Sequence, residues 1–164
     1  MFLINSTDII KLLDYKSLIK EIKNTFKKAD FCPAREIYDI DNIKNKSQFL
    51  LMPAFIKNKY YGVKLLNVFP NNPAKGMDRV KALYVLFDKN NGNVRAIIDG
   101  TMLTKYRTAA MSALASQYLS NKNSSNLLII GTGSLVPYMI SAHTKVRPIK
   151  NVYIWGRNYK KAKN

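Results

Sequence analysis

The spacing of apolar positions changes along the chain, and each change marks an element. Phe2 to Ile4 predicts a short strand, and Ser6 or Thr7 is placed to cap a first helical turn running through Leu13. Asp14 then predicts the N-cap of a second helix. In it Tyr15, Leu18, Ile19, Ile22, Phe26 and Ala29 recur at helical spacing and form one apolar face. "FLLMPAF" and "YYGVKLLNVFP" predict strands ending at Pro53 and Pro70. "KALYVLFDKNNGNVRAIIDG" predicts a hairpin turning at Lys89-Asn90-Asn91-Gly92, because glycine and asparagine tolerate positive φ. An alanine-rich helix is expected from Thr104 to Leu119, with Asp99 as a turn residue and Thr104 as the helix cap.

After the polar linker "NKNSSN" the pattern differs. Leu127 to Ile130 is a continuous apolar run, as in a strand buried on both faces. Gly131-Thr132-Gly133 follows at once, then a helical stretch from Leu135 to Lys145 with Pro137 in its first turn, then the strand "NVYIWG". This order makes a βαβ unit. Gly131 can make the tight turn, and Gly133 can let backbone N–H groups approach a pyrophosphate at the helix N-terminus. Val136 replaces the third small residue of the dinucleotide fingerprint, so a turn with no ligand is the competing reading. The second strand ends in Trp155-Gly156-Arg157-Asn158, followed by Lys160 and Lys161. No carboxylate is there to bond a ribose 2′-hydroxyl, and Arg157 can hold a 2′-phosphate, which favours NADP(H) over NAD(H). The plainer reading makes Arg157 one more base in a basic chain.

With 164 residues, 47% of them hydrophobic, the chain has room for one domain or pieces of two. Cys32 is the only cysteine, which excludes an internal disulfide framework and a cysteine-rich metal site. There is no apolar run of about 18 residues, and the start is charged too early for a secretory signal. A cytoplasmic location is the expectation. The net charge of +17 comes from lysines scattered through the chain, which fits a solvated surface better than a specific nucleic-acid face. His143, the only histidine, has no metal or nucleophile set around it in sequence and is assigned to packing.

"IDGTMLTKYRTAAMSALASQYL", "LLIIGTGSLVPYMISAH" and "VRPIKNVYIWGR" resemble the ornithine cyclodeaminase/mu-crystallin family, in the family's order and from about Phe2 to the C-terminus. The variant is most similar to bacterial ketimine or pyrroline-2-carboxylate reductases. The resemblance implies an α/β chain: an N-terminal α+β substrate and dimerisation domain, residues 1–120, followed by an incomplete Rossmann-type βαβ unit, residues 126–164. It also implies NAD(P)-dependent chemistry at the carbon–nitrogen bond of an α-amino or α-imino acid.

By motif, Arg35, Lys64 and Arg107 grip the substrate carboxylate, a task that suits the planar guanidinium fork. Lys64 also serves catalysis, by stabilising charge or moving a proton near the imine. Gly131, Gly133, Ser134, Leu135, Arg157 and Asn158 are the implied cofactor-binding positions. Ornithine-specific relatives carry a glutamate just before "LMP". Here it is Leu50, which cannot satisfy a buried ammonium, so a neutral or cyclic side chain is expected. Family members run to roughly twice this length. The expectation is therefore a truncated or split form, a homodimer through the first-domain sheet, with a second chain as a possible source of the missing half. The alternatives are an inactive remnant and a non-catalytic NADPH-binding module.

Overall fold

A computed structural model describes residues 1–27, 32–41, 46–56 and 60–163. Ala29 and the Lys161 side chain lie outside the described residues. The chain divides into two compact units. One comprises Met1–Leu12 with Lys28–Thr104, the other Leu13–Lys27 with Lys105–Asn164.

The first unit is built on a six-stranded sheet. Strand β1 (Phe2–Ile4) leads into helix α1 (Ser6–Leu12). Then come β2 (Glu36–Asp39), β3 (Gln48–Ile56), β4 (Tyr60–Val68), β5 (Val80–Phe87) and β6 (Val94–Asp99), in the spatial order β1-β6-β5-β4-β3-β2. All pairs are antiparallel except β1 with β6. The hairpin is where the sequence predicts it: Gly92 takes φ 75° and its N–H donates to the Asp88 carbonyl at 2.9 Å. Strand β2 went unpredicted; its four residues are all exposed at the sheet edge.

Three local expectations need correction. Asn5 caps α1, not Ser6 or Thr7: its side-chain oxygen accepts from the Asp8 N–H at 3.0 Å while Asp8 accepts from the Asn5 N–H at 3.0 Å. That reciprocal pair satisfies two donors at once, which a lone hydroxyl does not. Pro53 lies inside β3 and does not end it. Its ring removes no ladder bond to β2, because β2 pairing stops at Leu51; the Pro53 carbonyl accepts from the Cys32 thiol, at 3.9 Å. Finally, α3 starts at Gly100 and runs to Leu119. Asp99 caps it by accepting from the Met102 N–H at 2.9 Å, while the Thr104 hydroxyl is buried in the helix without a hydrogen-bond partner. The early start depends on Gly100, where a β-carbon would come within 2.8 Å of the Ala82–Leu83 backbone.

In the second unit, α2 (Tyr15–Lys27) is capped as expected, by Asp14 accepting from the Ser17 N–H at 3.0 Å. That bond holds the exposed Asp14 carboxyl below its ordinary pKa. Tyr15 and Ile19 are buried, but Phe26 is 65% exposed beside a groove it shares with Met111, Leu114 and Tyr118. Tyr106 stacks on Tyr15 at 5.1 Å and meets Tyr138 edge-on at 5.5 Å. Ala109, Ala110 and Ala113 on α3 are fully buried, which allows close helix packing. Strand β7 (Asn126–Ile130), α4 (Val136–His143) and β8 (Asn151–Trp155) form the βαβ unit, and α5 (Tyr159–Lys163) follows. β7 and β8 are parallel, with Ile130 opposite Trp155. α4 is shorter at both ends than the Leu135–Lys145 stretch expected; Leu135 and Thr144 are its caps.

Candidate active site

In the first unit, one candidate constellation is set by sheet register. Cross-strand partners share a face, and the β3, β4 and β5 ladders align Met52, Lys64 and Tyr84 in one row. The β2–β3 pairing ends at Glu36 opposite Leu51, and Arg35 directly precedes Glu36 at that end of the edge strand. The Lys64 ammonium is the cation that this face offers to a carboxylate. The same face carries Leu50, 7% exposed, and Leu66, 8% exposed, so the surroundings of the row are apolar. Lys64 is partly buried and Arg35 exposed. Arg107 stands on α3 in the second unit, exposed, directly after the buried Tyr106.

In the second unit, the candidate site is the glycine turn. Gly131 adopts φ 133°, a conformation side chains avoid, and its N–H donates to the Trp155 carbonyl at 2.7 Å. The turn thus clamps the ends of β7 and β8 together. Gly133 is exposed, and a β-carbon there would have nothing within 4 Å, so space is open above the backbone just before α4. Ser134 is exposed beside it, and Leu135 is the N-cap of α4 without a side-chain cap bond. Val136 donates to the Gly133 carbonyl at 3.1 Å and opens α4, with Pro137 in the first turn. An open glycine edge at the start of a helix after a parallel strand suits a pyrophosphate. The residues present therefore fit the cofactor that the fold implies.

Gly156 was missed in the sequence. A β-carbon there would lie 2.6 Å from Thr132 Cγ2, so this glycine lets the turn settle against the end of β8. Arg157 and Asn158 follow it, both exposed. From Lys105 to Asn164 the sequence holds no carboxylate side chain. The structure thus gathers Gly131, Gly133, Ser134, Leu135, Arg157 and Asn158 at one end of the βαβ unit, and sets Lys64 on the sheet face that carries Met52 and Tyr84.

His143 packs as assigned: it is half-buried, with Nε2 3.1 Å from Ser112 Oγ, and burial pushes its pKa below the usual value. Among the described residues no cluster of three or more His, Cys, Asp or Glu could hold a metal. Among those residues no helix is long and apolar enough to cross a membrane.

Fold and site together define an α/β protein in which a mixed sheet is followed by the opening βαβ unit of a Rossmann-type nucleotide-binding domain. The chain belongs to the ornithine cyclodeaminase/mu-crystallin family, whose sequence model matches residues 2–164. It is 38% identical over 164 residues to the Δ1-pyrroline-2-carboxylate reductase of Colwellia psychrerythraea, covering 98% of this chain and 52% of that protein. Among solved structures it is similar to the Δ1-pyrroline-2-carboxylate reductase of Thermococcus litoralis in complex with NADH and L-proline, with TM-score 0.91 and 30% identity, covering 99% of this chain and 51% of that one. An archaeal alanine dehydrogenase dimer with bound NAD is also similar, with TM-score 0.88 and 27% identity, again over 99% of this chain and 51% of that one. The chain spans about half the length of the curated relatives it matches.

Proposed function

We propose that these residues are the substrate-gripping and pyrophosphate-binding half of a nicotinamide-dependent reductase acting on the C=N bond of a cyclic α-imino acid, of the Δ1-pyrroline-2-carboxylate kind. The observation that carries this reading is Lys64, partly buried opposite Met52 on a sheet face that also carries Leu50 and Leu66. Arg35, Lys64 and Arg107 hold the substrate carboxylate, and Lys64 holds a proton near the imine nitrogen. Leu50 lines the apolar side, which favours a ring over an ornithine ammonium. Gly131, Gly133, Ser134 and Leu135 receive the pyrophosphate. When bound, the nicotinamide supplies the hydride that reduces the imine carbon. Arg157 and Asn158 face the adenosine ribose, and Arg157 favours NADPH.

Residues 1–120 are assigned to substrate binding and dimerisation, and 126–164 to the nucleotide-binding domain. The homodimer reading draws support from the opposite sheet face, where Phe55, Tyr61 and Leu83 are 38–41% exposed and Tyr61 stacks on Phe87 at 5.2 Å. The rest of the nucleotide-binding domain comes from further polypeptide, in the same chain or a second one, and a cytoplasmic location fits the chemistry. The test is turnover by the protein assembled with both halves. Δ1-Pyrroline-2-carboxylate should be reduced faster than ornithine is cyclised. Lys64→Ala should lower kcat/KM at least about tenfold, as loss of a charged hydrogen bond does. Faster turnover of ornithine would refute the role given to Leu50.

A further inference from the structure

Tyr84 is the cross-strand partner of Lys64, and its ring is laid down in an unusual place. A β-carbon on Gly62 would lie 2.6 Å from the Tyr84 hydroxyl oxygen and 2.9 Å from the ring carbon that bears it. Gly62 is itself buried, two residues before Lys64 on β4 and on the same face. The phenol tip therefore occupies the volume that any side chain at position 62 would take. No other residue type leaves room for it, because the same β-carbon would also come within 2.5 Å of the Val85 carbonyl oxygen. The consequence is an aromatic ring lying low over Gly62 on the sheet face that carries Lys64, and burial raises the Tyr84 pKa.

We propose that the Tyr84 ring, seated over Gly62, is a specificity-determining floor of the substrate site that limits the ring size of the imino or amino acid held by Lys64. The inference rests on the carboxylate-binding role given above to Lys64. A flat aromatic surface next to a carboxylate-binding ammonium matches a small saturated ring bearing a carboxylate at the adjacent carbon. The ring packs on the phenol face while the carboxylate turns to the cation. With the phenol in place the depth beneath the ligand is fixed. With it removed, the glycine beneath leaves a hollow that a larger ring can enter.

The experiment uses the 164-residue chain and two ligands, L-proline and its six-membered homologue L-pipecolate. Binding is followed by NMR with 13C-labelled tyrosine rings and 15N-labelled backbone. The expected result is saturable binding of L-proline that shifts the Tyr84 ring signals in step with the Lys64 amide, with weaker binding of L-pipecolate. Tyr84→Ala should raise the affinity for L-pipecolate relative to L-proline about tenfold, the scale of one methylene in an apolar pocket. Tyr84→Phe keeps the ring and should keep the wild-type preference, which also guards against a loss of fold in the alanine variant. L-Proline saturating at Lys64 with no change at Tyr84, or an unchanged preference in Tyr84→Ala, overturns the floor and leaves the carboxylate site standing. Loss of preference in Tyr84→Phe overturns it too, because the hydroxyl would then be the determinant. Absence of saturable binding anywhere on the chain overturns both readings.

Discussion

Nη2 of Arg147 lies 2.8 Å from the carbonyl oxygen of Ser116, near the C-terminal end of α3. The same guanidinium donates to the carbonyls of Gln117 and Ser120 at 3.0 and 3.1 Å, and Nε donates to Ser120 Oγ at 2.8 Å. The last carbonyls of a helix have no partner within it and carry its negative pole. One cation from the loop before β8 thus closes α3 and ties it to the βαβ unit.

Arg147→Ala should therefore destabilise the chain by about 2 kcal/mol, in the range of charged hydrogen bonds. Arg147→Lys should recover little, because an ammonium cannot fork onto several carbonyls. Urea denaturation followed by circular dichroism reads both, and full recovery in the lysine variant would contradict the forked geometry.

Gly156 and Thr132 give a second expectation. Gly156→Ala forces its β-carbon to within 2.6 Å of Thr132 Cγ2, so the glycine turn must shift. A loss of stability and weaker NADPH binding should follow together. Thr132→Ser removes that methyl, and the next atoms lie at 3.5 Å or beyond. The double variant Gly156→Ala with Thr132→Ser should regain most of the loss. Additive losses in this double-mutant cycle would mean the contact is not what matters.

His143 makes stability depend on pH. Burial lowers its pKa below the ordinary 6.5, so the unfolded chain takes up the proton first. This contribution is intact above pH 6.5, declines as pH falls below it, and levels off once the folded state is also protonated. Comparing urea midpoints at pH 8 and pH 5 for wild type and His143→Gln isolates it: the variant should show a smaller drop. An equal drop would assign the acid sensitivity to other groups.

These features differ in how far the sequence reveals them. The glycine turn, the Asp14 cap and the hairpin at Gly92 are local, with every determining residue within a few positions. Asn5 was legible too, since Asp8 three residues on completes the reciprocal pair, but the hydroxyls beside it were the stronger lure. Pro53 could not be placed without knowing that β2 stops pairing at Leu51. The Lys64–Tyr84 pair joins strands separated by residues 69–79, which include a short 3-10 turn, so no hairpin register foretells it. Edge strand β2 has four exposed residues and little apolar signal. What the sequence hides here is register and edge position, both decided by neighbours far along the chain.

The cofactor prediction rests on Arg157 and on the absence of any carboxylate from Lys105 onward. NADPH should bind more tightly than NADH, as measured by nicotinamide fluorescence at fixed ionic strength. Arg157→Asp should narrow or reverse the ratio. The comparison must be made at two salt concentrations, because a basic surface attracts any polyphosphate at low salt. A preference that vanishes at high salt, or tighter NADH, would remove the assignment.

The last expectation is that these 164 residues alone do not turn over substrate. Among the described residues, the sheet of the βαβ unit has only β7 and β8. Leu128, Ile130, Tyr153 and Trp155 alternate onto one face of that pair and are 56–74% exposed. A parallel sheet is normally covered on both faces, so this apolar surface has no cover among the described residues. The glycine turn can still meet a pyrophosphate, yet two strands do not wall in the far end of a dinucleotide. Hydride transfer needs donor and acceptor held about 3–3.5 Å apart, and lost positioning removes many orders of magnitude in rate. Purified alone, the chain should therefore bind NADPH weakly and show no imine-dependent NADPH oxidation. It should also bind a hydrophobic dye such as ANS through the bare β7–β8 face. Adding the complementary half should suppress the dye signal and bring turnover together. Turnover near 1 per second by the lone chain, within the ordinary enzyme range, would mean that these residues already assemble a working site.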